Sequence, residues 1–144
     1  MSSKITPVRL FNAALDEVEG SPTGIILRGV IDPSCLKLLR IDDYQREVQP
    51  LGSQKSILRA LEKGSPLPSV DLGMRGQDFT SRESAFLLKD PVYIIDGLQR
   101  ISTAIHHLGV KPGSDVRIGA EVHFNTDRNW ERDRFHTLNA YRQK

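Results

Sequence analysis

The segment between residues 92 and 108 constrains the fold of this chain more than any other part of the sequence. It opens with the apolar run Val-Tyr-Ile-Ile at 92–95, which is typical of a strand buried on both faces of a sheet. Asp96-Gly97 follows, and apolar side chains then recur at the spacing of one helix face, at Leu98, Ile101, Ile105 and Leu108. A buried strand that enters an amphipathic helix through one glycine predicts a fold built from both element types.

The other hydrophobic patterns are short and belong to both types. Strands are predicted at 35–41, 67–74, 85–88 and 116–124, and helices at 53–63 and from 129 to the end of the chain. The apolar stretches 8–14 and 24–30 are of undecided type, and 75–84 is predicted to be a loop. We therefore expect an α+β fold, a small mixed β-sheet with flanking helices, in a single domain over residues 1–144. The alternative is that this domain is the N-terminal part of a longer protein.

Several classes of protein are excluded by what the chain lacks. No apolar run approaches the roughly 18 residues of a membrane span, and the first residues lack the apolar core of a secretory signal. Cys35 is the single cysteine, which excludes an internal disulfide and is typical of a reducing compartment. The sequence therefore predicts a cytoplasmic protein with no membrane partner.

Basic side chains are concentrated near the C-terminus. The formal net charge is +2, and residues 126–144 hold five basic and three acidic side chains. This excess is small for a protein that coats nucleic acid by charge alone. Two interpretations remain open: a solvated helix face with mixed charges, or an edge that contacts DNA phosphates through Arg128, Arg132 and Arg134.

The junction at Asp96-Gly97 has the geometry of an anion site. The first turn of a helix carries unpaired backbone amides and the positive end of the dipole, and Gly97 lets a ligand approach that backbone. Arg100, one turn into the helix, is able to fork two hydrogen bonds to a phosphate. The competing interpretation is a capping box, because Asp96 and Gln99 have its D-x-x-Q spacing.

Three motifs, in order, resemble the DGQQR and DGQHR proteins, a branch of the ParB/sulfiredoxin-like superfamily. The segment I-D-G-L-Q-R-I-S-T at 95–103 is similar to their I-D-G-Q-Q-R-L-T-T signature. Upstream, the Tyr-Gln-Arg at 44–46 and the Gly-Ser-Pro-Leu-Pro at 64–68 resemble the segments that open those domains. Downstream, 131–139 looks like their E-x-x-x-F-x-x-L/I-N helix. The resemblance covers roughly residues 36 to 144.

This resemblance implies a compact α+β fold that binds a nucleotide or another phosphate and acts in a DNA-related process such as restriction, modification, regulation or partition. It implies a nucleoside triphosphate with Mg²⁺ as the ligand. Two alternatives stay open: a DNA-binding regulatory module without nucleotide turnover, and a domain that hydrolyses nucleoside triphosphates or cleaves DNA. The implied binding residues are Asp96, Gly97, Gln99, Arg100, Tyr44, Gln45 and Arg46.

The chain departs from the family pattern at Leu98, which replaces the family's first glutamine. The helical spacing places Leu98 on the apolar face, so we expect it to pack against the sheet and to weaken hydrolysis more than binding. It also excludes sulfiredoxin chemistry, which uses a cysteine at this place. No catalytic residue is assigned and no histidine-based metal site is predicted; Asp42-Asp43 fits either a Mg²⁺ contact or a turn at a strand end.

Overall fold

The computed structural model describes residues 7–45 and 51–142. Two short 3₁₀ helices in this part of the chain span Pro33–Leu38 and Asp43–Gln45. The strands are β1 (Val8–Glu17), β2 (Ile25–Ile31), β3 (Val70–Met74), β4 (Phe79–Arg82), β5 (Ala85–Leu88), β6 (Val92–Asp96) and β7 (Gly119–Phe124). The α-helices are α1 (Leu51–Lys63), α2 (Leu98–Val110) and α3 (Arg128–Arg142).

The strands form one mixed sheet in the order β4-β5-β1-β2-β7-β3-β6. β3 and β7 are parallel, and every other neighbouring pair is antiparallel. Parallel neighbours cannot be joined by a tight hairpin, and the chain between β3 and β7 passes through β4, β5, β6 and α2. The predicted α+β class with a mixed sheet is confirmed.

The two faces of the sheet are covered by different helices. Leu72 of β3 belongs to the hydrophobic core together with Ile101 of α2. Side chains alternate along a strand, so the next residue, Gly73, faces the other way. A Cβ at Gly73 would lie 3.2 Å from Cγ of Glu131, so α3 packs closely on this second face. The sheet therefore separates an apolar core beneath α2 from a charged layer beneath α3.

Two predicted elements differ from the structure, and the stretches of undecided type are assigned. The strand expected at 35–41 is largely the 3₁₀ helix Pro33–Leu38, because Asp32 caps its start by accepting a hydrogen bond from Ser34 N and Pro33 fixes the first turn. The loop expected at 75–84 contains the exposed edge strand β4, which is paired with β5. The stretches of undecided type are strands, β1 and β2, which form an antiparallel hairpin.

The three described α-helices are shorter than the roughly 20 residues of a membrane span. α1 and α2 have 13 residues each and α3 has 15. α1 begins at Leu51, before the Ser53 expected from the sequence. Among the described residues, no helix has the length and apolar character needed to cross a bilayer.

Candidate functional site

The β6–α2 junction is built on a glycine that no other residue could replace without strain. β6 ends at Asp96 and α2 begins at Leu98, with Gly97 between them at φ 105° and ψ 18°. This is backbone that L side chains rarely adopt. A Cβ at Gly97 would lie 2.7 Å from Cβ of Val70 and closer still to its Cγ1. The absent side chain therefore allows both the tight turn and the packing of β3 against the helix start.

Arg100 is held beside this junction. Its Nη1 donates to the carbonyl oxygen of Pro68 at 2.8 Å, and its Nη2 lies 3.1 Å from Oδ2 of Asp96. Both side chains of the ion pair are about one-eighth exposed, at 13% and 12%. The guanidinium is thus positioned next to the first turn of α2, where a Cβ at Gly97 would lie 3.2 Å from its Nη2.

The helix start does not place Asp96 at the N-cap, the position that the competing capping-box interpretation gave it. The N-cap position is Gly97, which has no side chain to donate or accept a hydrogen bond. Asp96 is still part of β6, where it pairs with Asp71. Because β6 ends at Asp96 and α2 begins at Leu98, Asp96 lies one residue before the N-cap, and the D-x-x-Q spacing does not match the helix start.

Tyr44 and Gln45, the described residues of the Tyr-Gln-Arg segment, lie along the outer edge of β6, close to the same junction. The buried side chain of Gln45 donates from Nε2 to the carbonyl oxygen of Ile94 at 2.9 Å and also contacts that of Ile95. The hydroxyl of Tyr44 lies 3.2 Å from the Ile94 oxygen. Arg46 lies outside the described residues. The structure therefore places Tyr44 and Gln45 beside the D-G-x-Q-R element, while their contact with a ligand stays a prediction.

A buried carboxylate anchors this arrangement from the other side, and the sequence analysis did not assign it to the site. Glu131 of α3 is fully buried and accepts hydrogen bonds from Tyr44 Oη (2.9 Å), Thr126 Oγ1 (2.8 Å) and Arg75 Nε (3.0 Å). Arg75 also stacks over the ring of Tyr93, 3.6 Å from its centroid. The signal that could have found this residue was the third motif, which begins at Glu131.

Burial, followed by the neighbouring charge of Glu131, raises the pKa of Tyr44 well above its usual range. The phenol therefore keeps its proton and donates to the carboxylate. This favours a positioning function for Tyr44: it ties the segment that precedes Arg46 to α3 and to β6.

Acid is expected to destabilise the protein partly through Asp42. The hydrogen bond from Arg75 lowers the pKa of Asp42 from 3.8 to about 2. The folded state thus favours the carboxylate, so its contribution is present above the unfolded-state pKa and is lost as the pH falls through about 2. Asp42→Asn should therefore show a smaller loss of stability than wild type between about pH 4 and pH 2, measured by urea unfolding. An exposed control, Asp133→Asn, should follow wild type; if Asp42→Asn does so too, the assignment is wrong.

Two of the three arginines predicted to contact DNA are paired with acidic groups of the same chain. Arg128 Nε lies 3.0 Å from Oδ1 of Asp43, and Arg134 Nε lies 2.9 Å from Oδ2 of Asp71. Arg132 is half-buried on the same helix. These ion pairs reduce the positive field that α3 presents to a polyanion, which favours the mixed-charge interpretation of this helix.

The carboxylates near the junction do not fit a protein-held Mg²⁺ site. Asp42 and Asp43 are paired with arginines, and so is Asp96. Within the described part of the chain, no group of three or more His, Cys, Asp or Glu side chains has the arrangement of a metal site. The turn interpretation of Asp42-Asp43 is the better one, because both residues join the second 3₁₀ helix to arginines of neighbouring elements.

Leu98 packs where its periodicity predicts. It is partly buried against the hydrophobic core, together with Ile105 and Leu108 of the same helix. The position of the family's first glutamine therefore supplies apolar surface to the core and adds no amide to the junction.

Comparison of the chain with protein-family models, with curated proteins and with solved structures finds no match. Support for a function therefore comes from the geometry of the β6–α2 junction and from the three motifs that surround it.

Proposed function

We propose that this chain is a ParB-like nucleotide- or phosphate-binding domain that acts in a DNA-related process. The observation that carries the proposal is the combination at one point of a side-chain-free helix start at Gly97 and a fixed guanidinium, Arg100. Backbone amides at the start of α2 would bind the phosphate oxygens, and Arg100 would neutralise their charge. Gln99 extends from the same first turn.

The Tyr-Gln-Arg segment would form the second side of the site. Gln45 and Tyr44 tie this segment to the last carbonyl groups of β6. In the proposed arrangement their function is to hold the chain that leads to Arg46 against the junction, and Arg46 would supply a further cation. A nucleoside triphosphate would bring its own Mg²⁺ bound to the phosphates, because the nearby carboxylates are engaged by arginines.

Phosphate binding is preferred to plain DNA binding for an electrostatic reason. The arginines that would extend a DNA-binding surface along α3 are paired with Asp43 and Asp71. A single anion at a helix start needs no extended positive surface. Nucleotide hydrolysis is the less favoured version of the proposal, because Leu98 gives the junction no amide at the family's first glutamine.

Charge changes at Arg100 and Asp96 should alter anion affinity in opposite directions. Arg100→Gln is expected to weaken the binding of nucleoside triphosphate by about 1.5–3 kcal/mol, the scale of a hydrogen bond to a charged group. Asp96→Asn is expected to strengthen binding, because the carboxylate that competes with phosphate for the guanidinium is removed. A nucleotide panel screened by thermal shift with and without Mg²⁺ selects the ligand, and calorimetry then measures each variant.

The matched control is Arg82→Gln, an exposed arginine on the edge strand β4 at the far side of the sheet. It should bind as wild type does. Equal affinity of wild type, Arg100→Gln and Asp96→Asn for every nucleotide and for inorganic phosphate would contradict the proposed site.

A further inference from the structure

A second group of polar side chains lies on the α3 face of the sheet, and its aspartate, Asp71, is the β-sheet partner of Asp96. Ser21 belongs to the turn between β1 and β2, His123 to β7 and Asp71 to β3. Oγ of Ser21 lies 3.0 Å from Nδ1 of His123, and Nε2 of the same ring lies 3.3 Å from Oδ1 of Asp71. A serine, a histidine and an aspartate thus form a continuous hydrogen-bonded chain across residues that are far apart in sequence.

The charge state of Asp71 sets the tautomer of His123. Burial raises the pKa of Asp71, but its hydrogen-bonded partners, His123 first and then Arg134, outweigh burial and lower this pKa below its usual value. An ionised Asp71 accepts a hydrogen bond, so Nε2 of His123 carries a proton. In the neutral ring the lone pair of Nδ1 then accepts the hydroxyl hydrogen of Ser21, which is the arrangement that prepares a hydroxyl for nucleophilic attack.

The imidazole of His123 is fixed in place and shielded from solvent, whereas the hydroxyl group belongs to Ser21, a residue that is partly exposed. His123 is 3% exposed and Asp71 6% exposed, whereas Ser21 is half-buried in a surface turn. Arg134 holds the other oxygen of Asp71 at 2.9 Å, and the ring of Trp130 packs 4.9 Å from the imidazole. Ser21 is therefore partly exposed to solvent, while the imidazole of His123 is almost completely shielded from water.

The acidic residues that lead into the turn from β1 restrict the substrate. Glu17 and Glu19 precede Ser21 and are exposed. Their negative charges disfavour the approach of phosphate or carboxylate groups. An uncharged or cationic ester is the matching class of substrate.

We propose that Ser21 is the nucleophile of an acyl-transfer site that accepts the acyl group of uncharged or cationic carboxylic esters, with His123 as its general base and Asp71 as the positioning residue. Oγ of Ser21 forms a bond to the ester carbonyl carbon as its proton passes to Nδ1 of His123. The bond from that carbon to the alkoxy oxygen breaks, and His123 returns the proton to the leaving alcohol. Water, activated by His123, then releases the acid and restores the serine.

The test is covalent labelling of the full chain with a neutral alkyl fluorophosphonate, which reacts with serines activated by a neighbouring base. Peptide mapping by mass spectrometry should place one adduct on Ser21, and Ser21→Ala should remove it. His123→Gln should slow labelling by at least about 100-fold, since general-base assistance contributes roughly 10²- to 10⁴-fold. Release of p-nitrophenol from p-nitrophenyl acetate should fall in both variants.

Ser34 is an internal control, because its exposed hydroxyl donates to a carboxylate, Asp32, at 2.8 Å and is not hydrogen-bonded to a histidine. It should stay unlabelled. Circular dichroism checks that each variant is folded. Labelling of Ser21 no faster than that of Ser34, or labelling that continues at the wild-type rate in folded His123→Gln, would overturn the proposal and leave the three residues as a clamp for the turn.

Discussion

Glu131→Ala should lower the free energy of unfolding by about 3–5 kcal/mol, the cost of removing one partner from a buried ion pair. The carboxylate is completely buried and binds Arg75 through two hydrogen bonds, at 3.0 and 2.8 Å. Its loss leaves the guanidinium with Asp42 as its one acidic partner among the described residues. The hydroxyl group of Thr126 loses its acceptor as well, and that of Tyr44 loses the nearer of its two acceptors; an unsatisfied polar group adds to the cost.

Urea unfolding of wild type and variant measures this change. The matched control is Glu62→Ala, because Glu62 is exposed and its ion pair with Lys111 spans 3.9 Å at the surface. Glu62→Ala should alter the free energy of unfolding by no more than about 1 kcal/mol. The double variant Arg75→Ala/Glu131→Ala should lose less free energy of unfolding than the sum of the losses in the two single variants, since neither member of the ion pair is then left without the other. A loss at Glu131 no greater than that at Glu62 would mean that the buried network contributes nothing to stability.

Gly97→Ala should destabilise the protein by about 2–6 kcal/mol. The backbone at φ 105° contributes roughly 1–3 kcal/mol of strain for a residue with a Cβ. Overpacking against Val70 contributes about 1–3 kcal/mol more, because the new Cβ would lie 2.7 Å from the valine Cβ. Thermal or urea unfolding of the variant measures the total loss of stability from strain and overpacking.

The same helix offers a control of opposite sign. Gly109 lies inside α2, and a Cβ there would meet nothing within 4 Å. Gly109→Ala should therefore stabilise the protein by about 0.5–1 kcal/mol, since alanine has the higher helix propensity. Adding Val70→Ala to Gly97→Ala removes the closest contact of the new Cβ, that with Cγ1 of Val70, and so relieves part of the overpacking. The double variant should therefore lose less stability than the two single losses added together. Full additivity of those two changes would contradict the close approach of β3 to the junction.

These two positions connect stability with the proposed phosphate site. Gly97 forms the helix start at which an anion would bind, and Glu131 fixes Tyr44 and thereby the segment that precedes Arg46. A variant at either position should be compared with wild type for folding before its ligand affinity is interpreted. Arg100→Gln and Asp96→Asn avoid this difficulty in part, because their expected effects on affinity have opposite signs.

The sequence alone determined the elements whose signal is local. Four apolar side chains at helical spacing predicted α2 and its buried face, and Leu98 packs accordingly. The run at 92–95 predicted the strand before it, and together with the shorter patterns it predicted the α+β class. Local patterns sufficed here because a helix buries residues three and four apart, whatever the rest of the chain does.

Local pattern failed where two structures share the same hydrophobic spacing. Cys35, Leu36 and Leu39 are buried, and this set fits a 3₁₀ turn followed by extended chain as well as it fits a strand. The cap at Asp32 decided between them. In the same way, the polar residues at 79–82 form a strand because β5 offers them hydrogen-bonding partners.

Only the tertiary structure decided which charged groups meet. Tyr44 and Glu131 are 87 residues apart, and Ser21 and His123 are 102 residues apart. Their contacts depend on strand order and on which face of the sheet α3 covers, and neither is encoded in spacing along the chain. Of the charges that look like a solvated or DNA-facing surface in the sequence, Arg134 pairs with the buried Asp71 beneath α3, where an unpaired charge would be costly, whereas Arg128 pairs with Asp43 at the surface.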